Sequence, residues 1–96
     1  MLVLVTYDVN TESLEGKRRL RKVAKVCMRY GVRVQNSVFE CDVDPAQRKM
    51  LRHEILTIIN EKTDSIRFYN LGKHYTDRIE HYGAKPTFDQ EGPLVF

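Results

Sequence analysis

The feature that most constrains the fold is a short apolar run at the amino terminus. Residues Leu2 to Tyr7 (LVLVTY) are almost all apolar and rich in β-branched side chains. The run ends at Asp8 and is followed by Asn10 and Thr11, which are typical turn residues. A continuous apolar segment of this length is typical of a central strand that is buried on both faces. We therefore expect a sheet built around this strand, with Asp8 at its carboxyl end.

Two segments have the signature of helices. From about Ser13 to Tyr30, apolar residues recur at i, i+3, i+4 and i+7, and Gly31 is expected to end this helix. The apolar positions are Leu20, Val23, Ala24 and Cys27. The sequence DPAQ (44–47) predicts a second helix, because it offers an N-cap, a proline at the first helical position and a capping-box glutamine. That helix is expected to run to about Glu61.

The remaining segments up to residue 72 have strand character. Residues 32–43 (VRVQNSVFECDV) are rich in β-formers, and a turn or bulge is expected near Asn36. Residues 64–71 alternate Ile66 and Phe68 with Arg67 and Tyr69, which predicts another strand. The order βαββαβ, with both helices on one face of an antiparallel sheet, predicts an α+β, ferredoxin-like sandwich. The other face of the sheet is expected to be bare.

The carboxyl-terminal segment is less regular. Residues 76–83 could form a short strand, and residues 84–93 are predicted to be a loop because of their proline and glycine content. The chain ends on the apolar residues Pro93 to Phe96, which we expect to form an extra strand on a partner protomer's sheet. The predicted organisation is a ferredoxin-like domain over residues 1–82 and a loop and partner-pairing strand over residues 83–96.

The length of 96 residues corresponds to a single domain. Such a domain buries roughly 60 to 70 per cent of its unfolded surface, which favours self-association as a homodimer. No apolar run approaches the ~18 residues of a membrane span, and the amino terminus lacks the features of a signal peptide. We therefore expect a cytoplasmic protein without a membrane partner. Cys27 and Cys41 are predicted to be free, buried thiols.

The net charge of +3 is unevenly distributed along the chain. Residues 16–39 contain half of the chain's 16 basic residues and no acidic residue. These bases are Lys17, Arg18, Arg19, Arg21, Lys22, Lys25, Arg29 and Arg33. The other segments carry 8 basic against 13 acidic residues, a net charge of −5. Helical spacing places Arg18, Lys22, Lys25 and Arg29, here named the basic ridge, opposite the apolar stripe. This segregation favours binding of a polyanion, and nucleic acid is the expected partner.

Asp8 is the candidate for catalytic chemistry, because it is the one carboxylate at the end of a predicted buried strand. Most aspartates at such positions are turn residues or helix caps, and that structural interpretation stays open. The functional interpretation needs Mg²⁺ or Mn²⁺, which polarises a phosphoryl oxygen and activates water. Mg²⁺ is usually held by one or two carboxylates and waters. In a homodimer, the two Asp8 side chains could converge and share one ion.

Four segments resemble a known family. They are the strand end Tyr7-Asp8, the basic helix that closes on Tyr30-Gly31, RVQNSVFE (33–40) and SIRFYNLG (65–72). Together they closely resemble the small CRISPR-associated protein of the "Cas two" family over residues 1 to about 72. The resemblance implies a ferredoxin-like homodimer whose carboxyl-terminal strand pairs with the partner's sheet. It also implies that the protein is a metal-dependent endonuclease that acts on RNA or double-stranded DNA. In addition, it implies that the protein forms the central dimer of the spacer-acquisition complex, and that this dimer bridges copies of the CRISPR integrase.

The resemblance assigns roles to individual residues. Asp8 matches the family's metal-binding aspartate at the dimer axis, and Tyr7 is its neighbour in the catalytic site. Arg33, Ser37 and Phe39 fall in the family's R-x-Q-x-S-V-F stretch, and Ser37 and Phe39 are expected to line the same cleft. The predicted nucleic-acid contacts are Arg18, Arg19 and Arg21, which the resemblance assigns only as a group, together with Lys22, Lys25 and Arg33.

Three functions are compatible with these features. In the first, two Asp8 hold one Mg²⁺ and the arginines position the backbone of a nucleic acid that is cleaved. In the second, the protein is a non-catalytic scaffold of the spacer-acquisition complex, the basic ridges clamp a duplex, and Asp8 is structural. The third is a toxin-like ribonuclease of the virulence-associated D type, which resembles the same fold.

Overall fold

The computed structural model describes residues 1–74 and 76–83. Its elements are β1 (Leu2–Asp8), α1 (Leu14–Met28), β2 (Gly31–Gln35), β3 (Val38–Asp42), α2 (Pro45–Ile58), β4 (Ser65–Gly72) and a 3₁₀ turn (Thr76–Arg78). The four strands form one antiparallel sheet in the order β2-β3-β1-β4. The predicted α+β class, with four antiparallel strands and two helices in the order βαββαβ, is confirmed.

β1 is a central strand that is buried on one face. Val3, Val5 and Tyr7 belong to a single core cluster with residues of both helices. Thr6 is only partly buried and Asp8 is exposed. The prediction of a strand buried on both faces is therefore wrong, because both helices pack on the same side of the sheet. The other side, which carries Leu4, Thr6 and Asp8, is named the open face, and it matches the predicted bare face.

α1 begins as predicted but ends earlier. The Ser13 side chain caps the helix by accepting a hydrogen bond from the Gly16 N–H at 3.0 Å. The helix ends at Met28, because the chain turns through Tyr30 and Gly31 already belongs to β2. Gly31 has no positive φ and so is not a left-handed helix stop. A Cβ at this position would lie 1.8 Å from the Glu40 carbonyl oxygen, so glycine is needed for the close approach of β2 and β3.

α2 begins with the predicted capping box. The Asp44 side chain accepts from the Gln47 N–H at 2.8 Å, and the Gln47 side chain accepts from the Asp44 N–H at 3.0 Å. Pro45 occupies the start of the helix. The helix ends at Ile58, before the predicted end near Glu61, because Ile59 is already extended. These polar caps satisfy backbone groups that the first helical turn leaves without partners.

The hairpin and the last strand follow the sequence pattern. β2 and β3 are joined by a turn at Asn36 and Ser37, with an irregular register between Arg33 and Gln35. In β4, Ile66 and Phe68 pack against the core, while Arg67 and Tyr69 are exposed. β4 therefore has the predicted alternation.

The segment after β4 differs from its prediction. Residues 76–83 contain the 3₁₀ turn Thr76–Arg78 and no strand. The predicted loop (84–93) and the terminal strand (93–96) lie outside the described residues. The same holds for most of the predicted 83–96 segment.

The core lies between the sheet and the helices. Its fully buried side chains include Phe39, Leu51 and Ile55. Cys27 and Cys41 are free and buried, as predicted, and the Cys41 thiol donates to the Cys27 carbonyl oxygen at 3.5 Å. No helix within residues 1–74 and 76–83 has the length and apolarity to cross a membrane.

Candidate active site

The carboxyl end of β1 opens onto a cleft of about 560 Å³. Because the sheet is antiparallel, this end of β1 lies beside the start of β4 and the turn between β2 and β3. The lining residues are mostly polar and comprise Thr6, Tyr7, Asp8, Val9, Thr11, Leu20, Asn36, Ser37, Val38, Ser65 and Arg67. The topology thus brings Asp8 and Ser37, both predicted from the sequence, to one site.

Asp8 is the exposed acidic group of this cleft. Its Cα partner across the sheet is Ser65 of β4. Among the described residues, no side chain or backbone group makes a hydrogen bond or ion pair with the Asp8 carboxylate. An exposed carboxylate without a partner is available to a cation, whereas a turn or capping aspartate would use its oxygens on backbone N–H groups.

Tyr7 is adjacent to Asp8 in the chain, but its phenol lies on the other side of the sheet. The side chain is only 2% exposed, and its hydroxyl donates to the Asp64 carboxylate at 2.5 Å. Burial, followed by the hydrogen bond to Asp64, raises the pKa of Tyr7 to about 12. The hydroxyl therefore stays protonated and engaged. This placement is that of a supporting residue, and the predicted catalytic role of Tyr7 stays a prediction.

Asp64 is a second carboxylate at the same end of the sheet, and the sequence analysis missed it. Its side chain is fully buried and accepts hydrogen bonds from Arg19 Nε at 2.8 Å and Nη2 at 3.2 Å. It also accepts from Tyr7 and from the Asn60 N–H. Burial raises the pKa of Asp64, but hydrogen bonds from Arg19 and Tyr7 outweigh it and lower the pKa to about 2. The predicted antiparallel sheet could have pointed to Asp64. In such a sheet, a residue that precedes β4 lies beside the end of β1, and Asp64 directly precedes β4.

The predicted nucleic-acid residues separate into two groups. Arg18, Arg21, Lys22 and Lys25 are exposed on α1. Arg19 is turned inward and forms the ion pair with Asp64, so its guanidinium is already occupied. Within the basic ridge, Arg29 forms an ion pair with Glu54 of α2 at 2.5 Å, which leaves three ridge side chains without an acidic partner among the described residues.

Arg33, Ser37 and Phe39 have different surroundings. Arg33 donates to the Asn36 carbonyl oxygen at 2.8 Å and to its Oδ1 at 3.2 Å, which closes the hairpin turn. Its guanidinium carbon also lies 5.5 Å from the centre of the Phe39 ring. Ser37 lines the cleft, and its carbonyl oxygen accepts from the Tyr7 N–H at 2.9 Å. Phe39 is 0% exposed and does not line this chain's cleft, because its side chain faces the helices.

The cleft offers oxygen donors of the kind that a hard cation such as Mg²⁺ binds. Within the part of the chain that the structure describes, no group of three or more His, Cys, Asp or Glu residues could hold a metal ion. Asp8 supplies one carboxylate, and the hydroxyl-bearing residues Thr11, Ser37 and Ser65 line the same cleft. Mg²⁺ prefers oxygen ligands and usually keeps several waters. One chain therefore offers a single free carboxylate for a cation at this cleft.

A four-stranded antiparallel sheet with both helices on one face, and a polar cleft with one exposed aspartate at the end of β1, defines a small two-layer α+β protein. The chain belongs to the family described as "CRISPR associated protein Cas2", whose profile matches residues 1–79. The CRISPR-associated endonuclease Cas2 of Halalkalibacterium halodurans is 57% identical over 96 residues, which is 100% of both chains. The CRISPR-associated endoribonuclease Cas2 of Chlorobaculum tepidum is 59% identical over 95 residues, or 99% of each chain.

A solved structure supports the same assignment. The crystal structure of Streptococcus pyogenes Cas2 at pH 6.5 superposes with a TM-score of 0.80 at 61% sequence identity. The superposition covers 86% of the present chain and 100% of the Streptococcus pyogenes chain. The family resemblance inferred from the sequence is confirmed, and the predicted class of activity, a CRISPR-associated nuclease, agrees with the names of the relatives.

Proposed function

We propose that this chain is a metal-dependent endonuclease that hydrolyses phosphodiester bonds of nucleic acid. The observation that carries the proposal is the Asp8 carboxylate, which is exposed in a polar cleft and has no partner among the described residues. The similarity to proteins named endonuclease and endoribonuclease gives the same class of reaction. The second of these names gives RNA as a class of substrate, and we propose single-stranded RNA and double-stranded DNA as the candidate substrates.

The proposed active unit is a homodimer of ferredoxin-like chains in which two Asp8 carboxylates share one Mg²⁺ or Mn²⁺. Two observations support it. One chain offers a single free carboxylate in the cleft, and a two-fold axis beside Asp8 would supply a second, the larger number that Mg²⁺ sites commonly use. The open face beside Asp8 also carries apolar side chains in partly exposed positions, including Leu4 and Val38, and the 41%-exposed Tyr69. A second copy placed on this face would bury them.

In this mechanism the chain's own residues bind and orient the substrate. The exposed bases of α1 neutralise backbone phosphates, and Asp8 holds the ion at the cleft. When bound, Mg²⁺ polarises a phosphoryl oxygen and lowers the pKa of a water molecule. The Ser37 and Ser65 hydroxyls, which line the same cleft, can orient water by hydrogen bonds. The buried pair of Asp64 and Arg19 anchors the start of β4 against α1 and so keeps Ser65 opposite Asp8.

A second function is favoured by the distribution of charge. Arg18, Arg21, Lys22 and Lys25 form an exposed basic surface along α1, and a dimer would carry two such surfaces. This arrangement supports the role of a DNA-binding scaffold that partners the CRISPR integrase in spacer acquisition. The scaffold needs no cleavage by Asp8, so the two functions can be separated experimentally.

The test compares the wild type, Asp8→Asn and the matched control Asp77→Asn, which changes an exposed aspartate outside the cleft. Labelled duplex DNA and single-stranded RNA are incubated with Mg²⁺, Mn²⁺ or EDTA. We expect metal-dependent cleavage by the wild type and the control, at least a 100-fold loss in Asp8→Asn, and binding within threefold for all. Equal cleavage by the wild type and Asp8→Asn would overturn the assignment of the active site to Asp8. Salt-sensitive binding with no cleavage would overturn the nuclease proposal itself and leave the scaffold function.

The shared ion is tested by stoichiometry. Calorimetric titration with Mn²⁺, on protein whose dimeric mass has been established by sedimentation, should give one ion per two chains, and Asp8→Asn should abolish the binding. One ion per chain would contradict the shared site.

A further inference from the structure

Three arginines lie near the cleft, and the structure gives them different partners. Arg19 is held by the Asp64 carboxylate. Arg33 is held by the backbone and side chain of Asn36. Arg67 of β4 is exposed and lines the cleft itself. Among residues 1–74 and 76–83, no carboxylate lies within ion-pair distance of Arg67. It is therefore the one of these three guanidinium groups that is free to bind an anion.

The register of the sheet places Arg67 beside Asp8. Asp8 is opposite Ser65 and Thr6 is opposite Arg67, so Asp8 and Arg67 are diagonal neighbours on the same open face. Diagonal Cα atoms of an antiparallel pair are about 7–8 Å apart. The ion pairs of the described residues do not include one between Asp8 and Arg67. An anion can therefore contact Arg67 while the Asp8 carboxylate holds a cation beside it.

Tyr69 orients the guanidinium. One Nη1 N–H of Arg67 donates to the Tyr69 hydroxyl at 3.0 Å, and both side chains lie on the same face of β4, two residues apart. The other N–H groups of the planar fork have no partner among the described residues. Such a fork matches the oxygens of a phosphate and can donate two parallel hydrogen bonds.

We propose that Arg67 binds the scissile phosphate of the nucleic acid, with Tyr69 orienting its guanidinium, and that it offsets the negative charge that develops during hydrolysis. This inference deepens the proposed nuclease function and rests on it for the catalytic part. The bases of α1 contact the substrate backbone at other phosphates, whereas Arg67 acts at the reacting one. Loss of one donor aimed at a developing oxyanion typically costs roughly 100- to 1,000-fold in kcat.

The kinetic test uses Arg67→Gln and Arg67→Lys, with Arg52→Gln as the matched control, because Arg52 is an exposed arginine on α2 and does not line the cleft. In Mg²⁺ or Mn²⁺, Arg67→Gln should lower kcat about 100-fold and change the Kd for substrate measured in EDTA by less than threefold. Arg67→Lys should recover part of kcat, since it restores the charge without the fork. The control should match the wild type. If the kcat of Arg67→Gln equals that of the wild type, the proposal is overturned.

A second measurement does not depend on cleavage. The dinucleoside phosphate thymidylyl-thymidine, which has a single phosphodiester, is titrated into ¹⁵N-labelled protein in EDTA. The Nε–H resonance of Arg67 should shift in a saturable way, the Arg52 resonance should not, and Tyr69→Phe should weaken the binding. If the Arg67 resonance does not move, the phosphate site is wrong. If it moves but the wild type shows no Asp8-dependent cleavage, the nuclease proposal fails and the phosphate site stands.

Discussion

The ion pair between Arg19 and Asp64 should contribute measurably to stability, and Asp64→Asn tests it. The Asp64 side chain is 0% exposed and that of Arg19 is 21% exposed. Asparagine has nearly the same shape as aspartate, so the change removes the charge and leaves the packing. Arg19 then faces a neutral amide, and the Tyr7 hydroxyl loses its ionised acceptor.

The magnitude follows from the pKa of Asp64, which is lowered from 3.8 to about 2. A difference of about 1.8 pKa units corresponds to ~2.4 kcal/mol, at 1.36 kcal/mol per unit. Because Arg19 is partly solvated, screening by water reduces this value, and we expect a loss of about 1.5–2 kcal/mol. Since the folded pKa lies below the unfolded one, the stabilisation is fully present above pH 3.8 and is lost as the pH falls through about 2.

The assay is urea unfolding followed by circular dichroism at pH 7 and pH 3, at equal protomer concentrations, for the wild type, Asp64→Asn and the exposed control Asp77→Asn. At pH 3 the difference in free energy of unfolding between the wild type and Asp64→Asn should be about half its value at pH 7. At that pH, Asp64 is mostly protonated in the unfolded chain but still ionised in the folded protein. The free energy of unfolding of the control Asp77→Asn should stay within ~0.5 kcal/mol of the wild-type value at both pH values.

Two results would refute this reasoning. One is a loss below ~0.5 kcal/mol at pH 7, which would mean that solvent replaces the ion pair at no cost. The other is a loss of the same size at both pH values, which would mean that the effect of Asp64→Asn comes from packing and not from charge.

Two further predictions concern the hairpin and α1. Gly31→Ala should destabilise the fold by about 1–3 kcal/mol, because its Cβ would overlap the Glu40 backbone oxygen at 1.8 Å; thermal unfolding measures this, and an unchanged Tm would contradict it. Reversal of charge at Lys22 and Lys25 should lower the salt dependence of duplex binding by about 0.9 in log–log slope for each phosphate that the protein no longer neutralises. Lys73→Glu, an exposed lysine away from α1, is the control, and an equal effect there would indicate only a change of net charge.

The candidate site could be predicted only in part. Asp8 was identified from its position at the end of the first strand and Ser37 from the family resemblance, and both line the cleft. Arg19 was grouped with the nucleic-acid contacts, because sequence shows its charge but not the buried Asp64 that it meets, 45 residues away. Phe39 was expected in the cleft, but its side chain faces the helices and is buried.

The sequence by itself determined the elements, because their signals are local. The apolar stripe of α1, the capping box at Asp44 and the alternation in β4 each act within a few residues, so they can be read without knowledge of the partners. Family membership also follows from such short motifs. The ends of α1 and α2 were less well predicted, since they depend on where the chain must turn to enter the next element.

Only the tertiary structure decided which charges are free. Arg19, Arg33 and Arg67 look equivalent in the sequence. In the structure, Arg19 forms an ion pair with Asp64 and Arg33 donates to Asn36, whereas Arg67 lines the cleft with Asp8. The physical reason is that hydrogen-bond partners are chosen by strand order and register, which bring together residues far apart in the chain. A two-residue slip of β4 against β1 would keep Arg67 on the open face but change its position relative to Asp8, and no local pattern in the sequence measures that register.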